Sequence, residues 1–310
     1  MGIVELITNL GQPTLAEQLG YSGKDILVIV NIDDVGMHKD ETEASIRAME
    51  FGMVKTGSIM VPCPEFDRAI EWWRQAPEGI DLGIHLTLTC EWGQKYPWSP
   101  VLPEDRVPSL YNSEGIMWKS VRELLQHANR SEIIMEVEAQ INKILDAGLR
   151  PSHLDHHMDF YYFGDLFEEV MELSRKYTLP MRVWRSRRYK VPFLIKNNLP
   201  SLRRRGYVFP DTQMGIYCMS GEDQSLEFRK AKYYEHLRSL GPGVHNIKVH
   251  IALQTDDLEE IMGGLHMSIR KIDFDVWSSD ETRKTAEELG VKFIGFRPLQ
   301  QLQEKLMKRA

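Results

Sequence analysis

The chain is predicted to fold as one α/β domain, an irregular (β/α) barrel of mostly parallel strands. Three observations point there. Short β-branched and aliphatic runs alternate with amphipathic helical stretches along most of the chain. No internal repeat, low-complexity linker or boundary interrupts the alternation. Polar, metal-competent side chains fall at strand ends, where such folds gather their reactive groups.

At 310 residues, 42% hydrophobic and 27% charged, the chain is long for one domain but within the range of barrel folds. Residues 1–24 read as an N-terminal helical arm, leaving 25–310 as the barrel domain. The run ILVIVN, residues 26–31, reads as a buried strand that ends at Asp33-Asp34-Val35-Gly36. A helix over 41–51 follows, closed by Gly52. The beat repeats with strand 57–61, helix 64–75 and strand 81–88. Residues 89–117 are irregular and rich in Trp, Pro and Gly; a loop of that length in a compact domain is usually functional or a cap. Helices 118–128 and 131–148, strand 153–155, helix 164–177 and strand 181–184 come next. Residues 185–222 show no clear pattern. Helix 224–240, strand 246–252, helices 258–271 and 279–289, strand 291–294 and helix 298–309 complete about seven strands.

The net charge of −7 argues against a global attraction to nucleic acid or to an anionic membrane. The basic runs Arg182, Arg185, Arg187, Arg188, Lys190 and Arg203, Arg204, Arg205 read first as solvated faces. Cys63, Cys90 and Cys218 are odd in number and far apart, so no disulfide framework or CxxC site is expected, and a cytoplasmic setting fits. No signal peptide is expected at the N-terminus, and the longest clean apolar run, 26–30, is too short to span a bilayer. The acidic surface and the arm permit a homo-oligomer.

The chemistry concentrates in four segments. Asp33 and Asp34 end the first strand; alone they read equally well as a helix cap. His85 sits in Gly83-Ile84-His85-Leu86-Thr87-Leu88-Thr89. His153-Leu154-Asp155-His156-His157 puts three histidines and an aspartate in five residues, costly to bury unless they bind metal or one another. Two of them are candidates to ligate, with an aspartate orienting a ring from behind. His250, in the strand 246–252, would be a general acid if it faces a metal. An Asp/His/His set with open positions suits zinc, another first-row ion or magnesium. Trp92, Trp98 and Trp118 offer apolar faces for sugar rings, or simply pack the loop. Arg182 or Arg185 would hold a carboxylate or phosphate on the substrate.

These segments, in this order, resemble the YdjC-type carbohydrate deacetylases. The matching stretches are Val28-Ile29-Val30-Asn31-Ile32-Asp33-Asp34-Val35-Gly36, Gly57-Ser58-Ile59-Met60-Val61-Pro62, Gly83 to Thr89, and Pro151-Ser152-His153-Leu154-Asp155-His156-His157. The resemblance covers residue 26 to the C-terminus. It implies a barrel similar to that of polysaccharide deacetylases and removal of acetyl groups from sugars such as chitooligosaccharides. It also implies one divalent ion on Asp34, His85 and His157, Asp33 as general base, and His250 as the late histidine of the family. His153 and Asp155 would stand behind the ligands. The chain departs at Met158-Asp159-Phe160-Tyr161-Tyr162, where many relatives carry further histidines, and at Ile251, where they carry proline. A metal-dependent phosphoesterase or other amidohydrolase, and a catalytically inactive carbohydrate-binding protein, are the alternatives.

Overall fold

The computed structural model describes residues 13–162, 166–183, 193–216 and 225–308. In chain order the elements are α1 (Leu15–Gln18), β1 (Ile26–Val35), α2 (Lys39–Phe51), β2 (Thr56–Ile59), α3 (Phe66–Trp73), β3 (Asp81–Leu86), α4 (Val121–His127), α5 (Arg130–Asp146), β4 (Leu154–His156), α6 (Leu166–Lys176), α7 (Phe193–Arg204), β5 (Thr212–Gly215), α8 (Leu226–Ser239), β6 (Gly243–Val249), α9 (Asp256–Met262), α10 (Gly264–Trp277), α11 (Asp280–Glu288), β7 (Val291–Phe293) and α12 (Arg297–Met307).

Seven strands among the described residues form one parallel sheet in the order β4-β3-β2-β1-β6-β5, with β7 paired to the start of β1. The expected alternation of strand and helix is thus present, with some changes. The expected strand 181–184 is only a bridge from Met181 to Leu154, with Trp184 outside the described residues. The seventh strand comes instead from Thr212–Gly215, in the stretch that showed no pattern. The expected helix 258–271 is two helices, broken at Gly263, whose φ of +83° is left-handed and favours glycine.

The sheet is curled into a half-barrel. Strands β1 and β4 are three places apart, about 14 Å in a flat sheet. Yet Asn31 Nδ2 on β1 donates to Asp155 Oδ2 on β4 at 3.0 Å. Alternation along each strand then sorts the side chains. Val28, Val30, Ile32, Leu82, Ile84, Leu86, Leu154, Ile247 and Val249 belong to the large core under the helices. On the inner face, the base is apolar, with Leu27, Ile29 and Val244 packed on Phe296, Leu299 and Leu302 around α12. Further up, the same face carries Asn31, Ser58, His85 and Asp155, all buried and hydrogen-bonded together. Of the arm expected over 1–24, the described part holds α1, whose Ala16 joins the apolar base; residues 1–12 lie outside the described residues.

Two helix side chains fix the long loop after β3. Gln140 on α5 accepts from the Thr87 N–H at 3.0 Å and donates to its carbonyl at 2.7 Å. Glu136, one turn earlier, accepts the Val101 and Leu102 N–H groups at 2.9 and 3.0 Å.

At the other end of β3, Asp81 ties the sheet to α12. Its carboxylate accepts from the Thr56 hydroxyl at 2.8 Å and from the Phe296 and Arg297 N–H groups at 3.2 and 2.8 Å. Removing the acceptor leaves these donors without a partner, and the lost charge also faced the N-terminus of α12. Asp81→Ala is expected to lower the urea-derived unfolding free energy by about 2–4 kcal/mol, with the denaturant slope unchanged.

Candidate metal centre

Regular alternation on β1 places Asn31 and Asp33 on the inner face and would turn Asp34 outward. The pairing with β2 slips by one residue between Ile32 and Val35, however, and Asp34 has a φ of +63°. This is a bulge, with an aspartate in the left-handed conformation that Asp tolerates better than most residues. It turns both neighbouring carboxylates into one site. Both are buried.

His85 reaches the site from β3. Its Nδ1 lies 2.6 Å from Asp155 Oδ1, and its Nε2 lies 3.2 Å from Asp34 Oδ1. Arg182 and His85 outweigh the effect of burial on Asp155 and hold its carboxyl well below the usual range. An ionised carboxylate only accepts, so the His85 proton sits on Nδ1 and Nε2 is left for Asp34 or a cation. His157, just past β4, is arranged the same way with its nitrogens exchanged. Its Nε2 lies 2.8 Å from Glu91 Oε2 and its Nδ1 lies 3.3 Å from Asp34 Oδ1.

Asp34 Oδ1, His85 Nε2 and His157 Nδ1 are therefore brought together, all within 4.8 Å of one another. Asp34 Oδ1 is buried and takes no hydrogen bond. Without an ion this oxygen is answered only by the charge of the two rings when they are protonated, at 3.2 and 3.3 Å, and a cation among the three would satisfy all of them. The residues fit one divalent ion. Asp33, His85 and Asp155 lie equally close together, but the Arg182 guanidinium already bridges those two carboxylates, so this second set is spoken for.

Two arginines offset the negative charge. Arg182 grips Asp33 with both terminal nitrogens, Nη2 to Oδ2 at 2.6 Å, and reaches Asp155 at 3.0 Å. Burial would raise the Asp33 carboxyl, but Arg182 prevails and keeps it below the usual range. Arg270 on α10 donates to Asp34 Oδ2 at 2.8 Å and lies 3.1 Å from Glu41. With the surrounding histidines it outweighs burial and keeps the Asp34 carboxyl well below the usual range. Glu41 is less fully compensated, and burial pushes it up to about 8.

The remaining expected residues divide. His250 follows β6 with its Nε2 3.9 Å from Asp33 Oδ2 and 3.8 Å from Asp34 Oδ2. Its side chain is 33% exposed, so it faces both the carboxylates and the opening. Burial lowers its pKa to about 3, leaving the ring neutral at pH 7. His153 lies behind Asp155, Nε2 to Oδ2 at 3.8 Å, with its ring stacked on Phe296. That ring occupies the space beside Gly83, where a Cβ would sit 2.4 Å from it. Arg182, expected to hold a substrate anion, is corrected: it is fully buried, and its charge is committed to Asp33 and Asp155. Arg185 lies outside the described residues. Trp98, expected to stack on sugar, is 3% exposed and donates through Nε1 to the Thr89 carbonyl, so it packs the loop. Trp118 stacks on His127 and donates to the Ser109 carbonyl. Trp92 meets Trp98 edge-on at 6.3 Å and stays partly exposed. The sequence reading missed Glu91, Arg270, Asn31 and Ser58.

The model of the YdjC-like protein family matches residues 27–288. A carbohydrate deacetylase of Thermus thermophilus is 29% identical over 280 residues, 88% of this chain and 94% of that protein. A carbohydrate deacetylase of Enterococcus faecalis is 33% identical over 157 residues, 50% of this chain and 57% of that protein, little more than half its length. Among solved structures, an Enterococcus faecalis protein proposed to cleave cellobiose phosphate superposes with a TM-score of 0.73 at 26% identity, covering 89% of this chain and 99% of that one.

Metal uptake here is expected to displace protons. Burial works against a proton on either ring, yet Asp155 and Asp33 raise His85 to about 9, and Glu91 and Asp34 raise His157 to about 10. Both metal-free rings are then protonated at pH 7, so metal affinity should fall as pH is lowered and binding should release about two protons. Titration calorimetry in buffers of differing ionisation enthalpy measures that number; a value near zero would place the metal on other groups.

Proposed function

This chain belongs to the YdjC-like protein family, and we propose that it is a metal-dependent hydrolase removing acetyl groups, in the first place N-acetyl groups, from a mono- or oligosaccharide. The observation that carries the reading is the convergence of one ligand atom each from Asp34, His85 and His157 in a buried pocket, with a second carboxylate, Asp33, on the adjacent residue. The relatives named carbohydrate deacetylase supply the reaction and the substrate class.

Asp34, His85 and His157 would hold one zinc or magnesium ion. When bound, such an ion polarises a carbonyl and makes water more acidic. Asp33 would accept the proton of the attacking water at its Oδ2, the oxygen that faces His250. The grip of Arg182 keeps that carboxylate ionised and fixed in direction, which suits a base that has to be aimed. His250, neutral at rest and partly exposed, would take up that proton and pass it through Nε2 to the leaving amine or alcohol. Asp155 would set the proton position on the His85 ring.

Trp92, partly exposed beside the buried Trp98, is the better placed of the loop tryptophans to meet a sugar ring. The phosphoesterase alternative loses one proposed anchor, since Arg182 is committed to the interior. Among the described residues no helix is long and apolar enough to cross a membrane. Cys63 and Cys90 are buried free thiols, which supports a cytoplasmic setting.

The test is acetate release from a panel of N- and O-acetylated sugars, with metal removed and then restored. Metal-restored protein should release acetate, and His157→Ala should not. Asp33→Asn should keep its metal and lower kcat by about 10²–10⁴-fold. Absence of acetate from every sugar, in protein shown to hold metal, would end the deacetylase reading.

A further inference from the structure

Each of the two ligand rings is backed by a carboxylate, but the two carboxylates are mounted differently. Asp155, behind His85, lies on β4, is fully buried, and is held by Asn31, Ser58 and Arg182. Glu91, behind His157, lies in the long loop after β3, and its side chain keeps 16% of its exposure. Its Oε2 takes His157 Nε2 at 2.8 Å, and its Oε1 takes the Thr89 hydroxyl at 2.5 Å. The two residues before it are pinned as well. The Cys90 N–H donates to the Trp118 carbonyl at 2.9 Å, and Trp98 Nε1 donates to the Thr89 carbonyl at 2.9 Å.

An imidazole ring that presents one nitrogen to a cation has to carry its proton on the other, and a carboxylate behind it enforces this. We infer that Glu91 is a positioning residue for the metal: it holds the His157 proton on Nε2, leaves Nδ1 bare toward Asp34, and so makes the loop part of the metal site. This rests on the reading that Asp34, His85 and His157 hold the ion. Glu91 touches neither the three converging atoms nor, in the mechanism above, the substrate. Its effect would pass through the direction and tautomer of one ring.

The test uses the full chain, stripped of metal and titrated with Zn²⁺ alone by calorimetry, for wild type, Glu91→Gln, Glu91→Ala and His85→Ala. Glu91→Ala should bind Zn²⁺ about 10–100-fold more weakly. Glu91→Gln should lose less, because its amide oxygen still accepts from Nε2–H, while its metal-free melting temperature should fall with the lost Glu91–His157 ion pair. If Glu91→Ala does not fold, Glu91→Gln decides alone. Wild-type Zn²⁺ affinity in the Glu91 variants, with affinity lost in His85→Ala, would overturn the inference and leave the metal site standing. Wild-type affinity in His85→Ala would instead remove the metal site on which the inference is built.

Discussion

Two adjacent residues of a regular strand cannot serve one site, because their side chains leave on opposite faces. Everything at the top of this barrel depends on how β1 escapes that rule. One extra residue against β2, and one aspartate in the left-handed conformation, bring Asp33 and Asp34 to the same opening. The backbone strain is modest for an aspartate, and the surrounding structure fixes it in place. Asp34 is held through Oδ2 by Arg270, so only Oδ1 is left toward the two rings. Asp33 is held through both oxygens by Arg182.

A cluster of buried carboxylates this dense survives only if every charge is answered. The answers come from elements remote in sequence: Arg182 beyond β4, Arg270 on α10, and the histidines of β3 and the β4 end. An ion pair sealed from water is a weak source of net stability, but it is a strong source of direction, since breaking either partner leaves a buried charge alone. That fits a site in which a carboxylate has to be aimed rather than merely present. The curl of the sheet makes these answers reachable, by bringing the inner faces of β1 and β4 within hydrogen-bonding distance.

Strand–helix alternation was legible because the outer faces of the strands are aliphatic and the helices are amphipathic. The strand ends were less so. Residues 26–31 looked like the whole of β1 because Asp33 and Asp34 read as a polar terminus, whereas the strand runs through them to Val35. Strand β5, Thr212–Gly215, has no aliphatic run to announce it. The grouping of Asp33, Asp34, His85, His157 and His250 at one end followed from their common position at strand ends, whereas His153 stacks on Phe296 lower in the barrel. The partners of that group did not. Arginine is usually exposed, and nothing near Arg182 or Arg270 says that each will be buried against an aspartate more than a hundred residues away. Glu91 is one acidic residue in a long loop, and only the curled sheet brings it to His157. The tryptophans misled in the opposite direction, because an indole that packs a loop and one that meets a sugar have the same sequence signature.

The way α5 holds the loop has a consequence for how such a protein can diversify. Gln140 and Glu136 grip it by backbone groups alone, at Thr87 and at the N–H groups of Val101 and Leu102. Neither clasp reads the identity of the side chains it holds. Between the two clasps, exposed positions such as Gln94 and Pro97 are therefore open to exchange, while Thr89, Cys90, Glu91 and Trp98 are held by their own bonds and packing. The barrel in this respect resembles a socket with fixed terminals, in which the outer rim can be rewritten while the Asp34, His85 and His157 cluster beneath it stays unchanged.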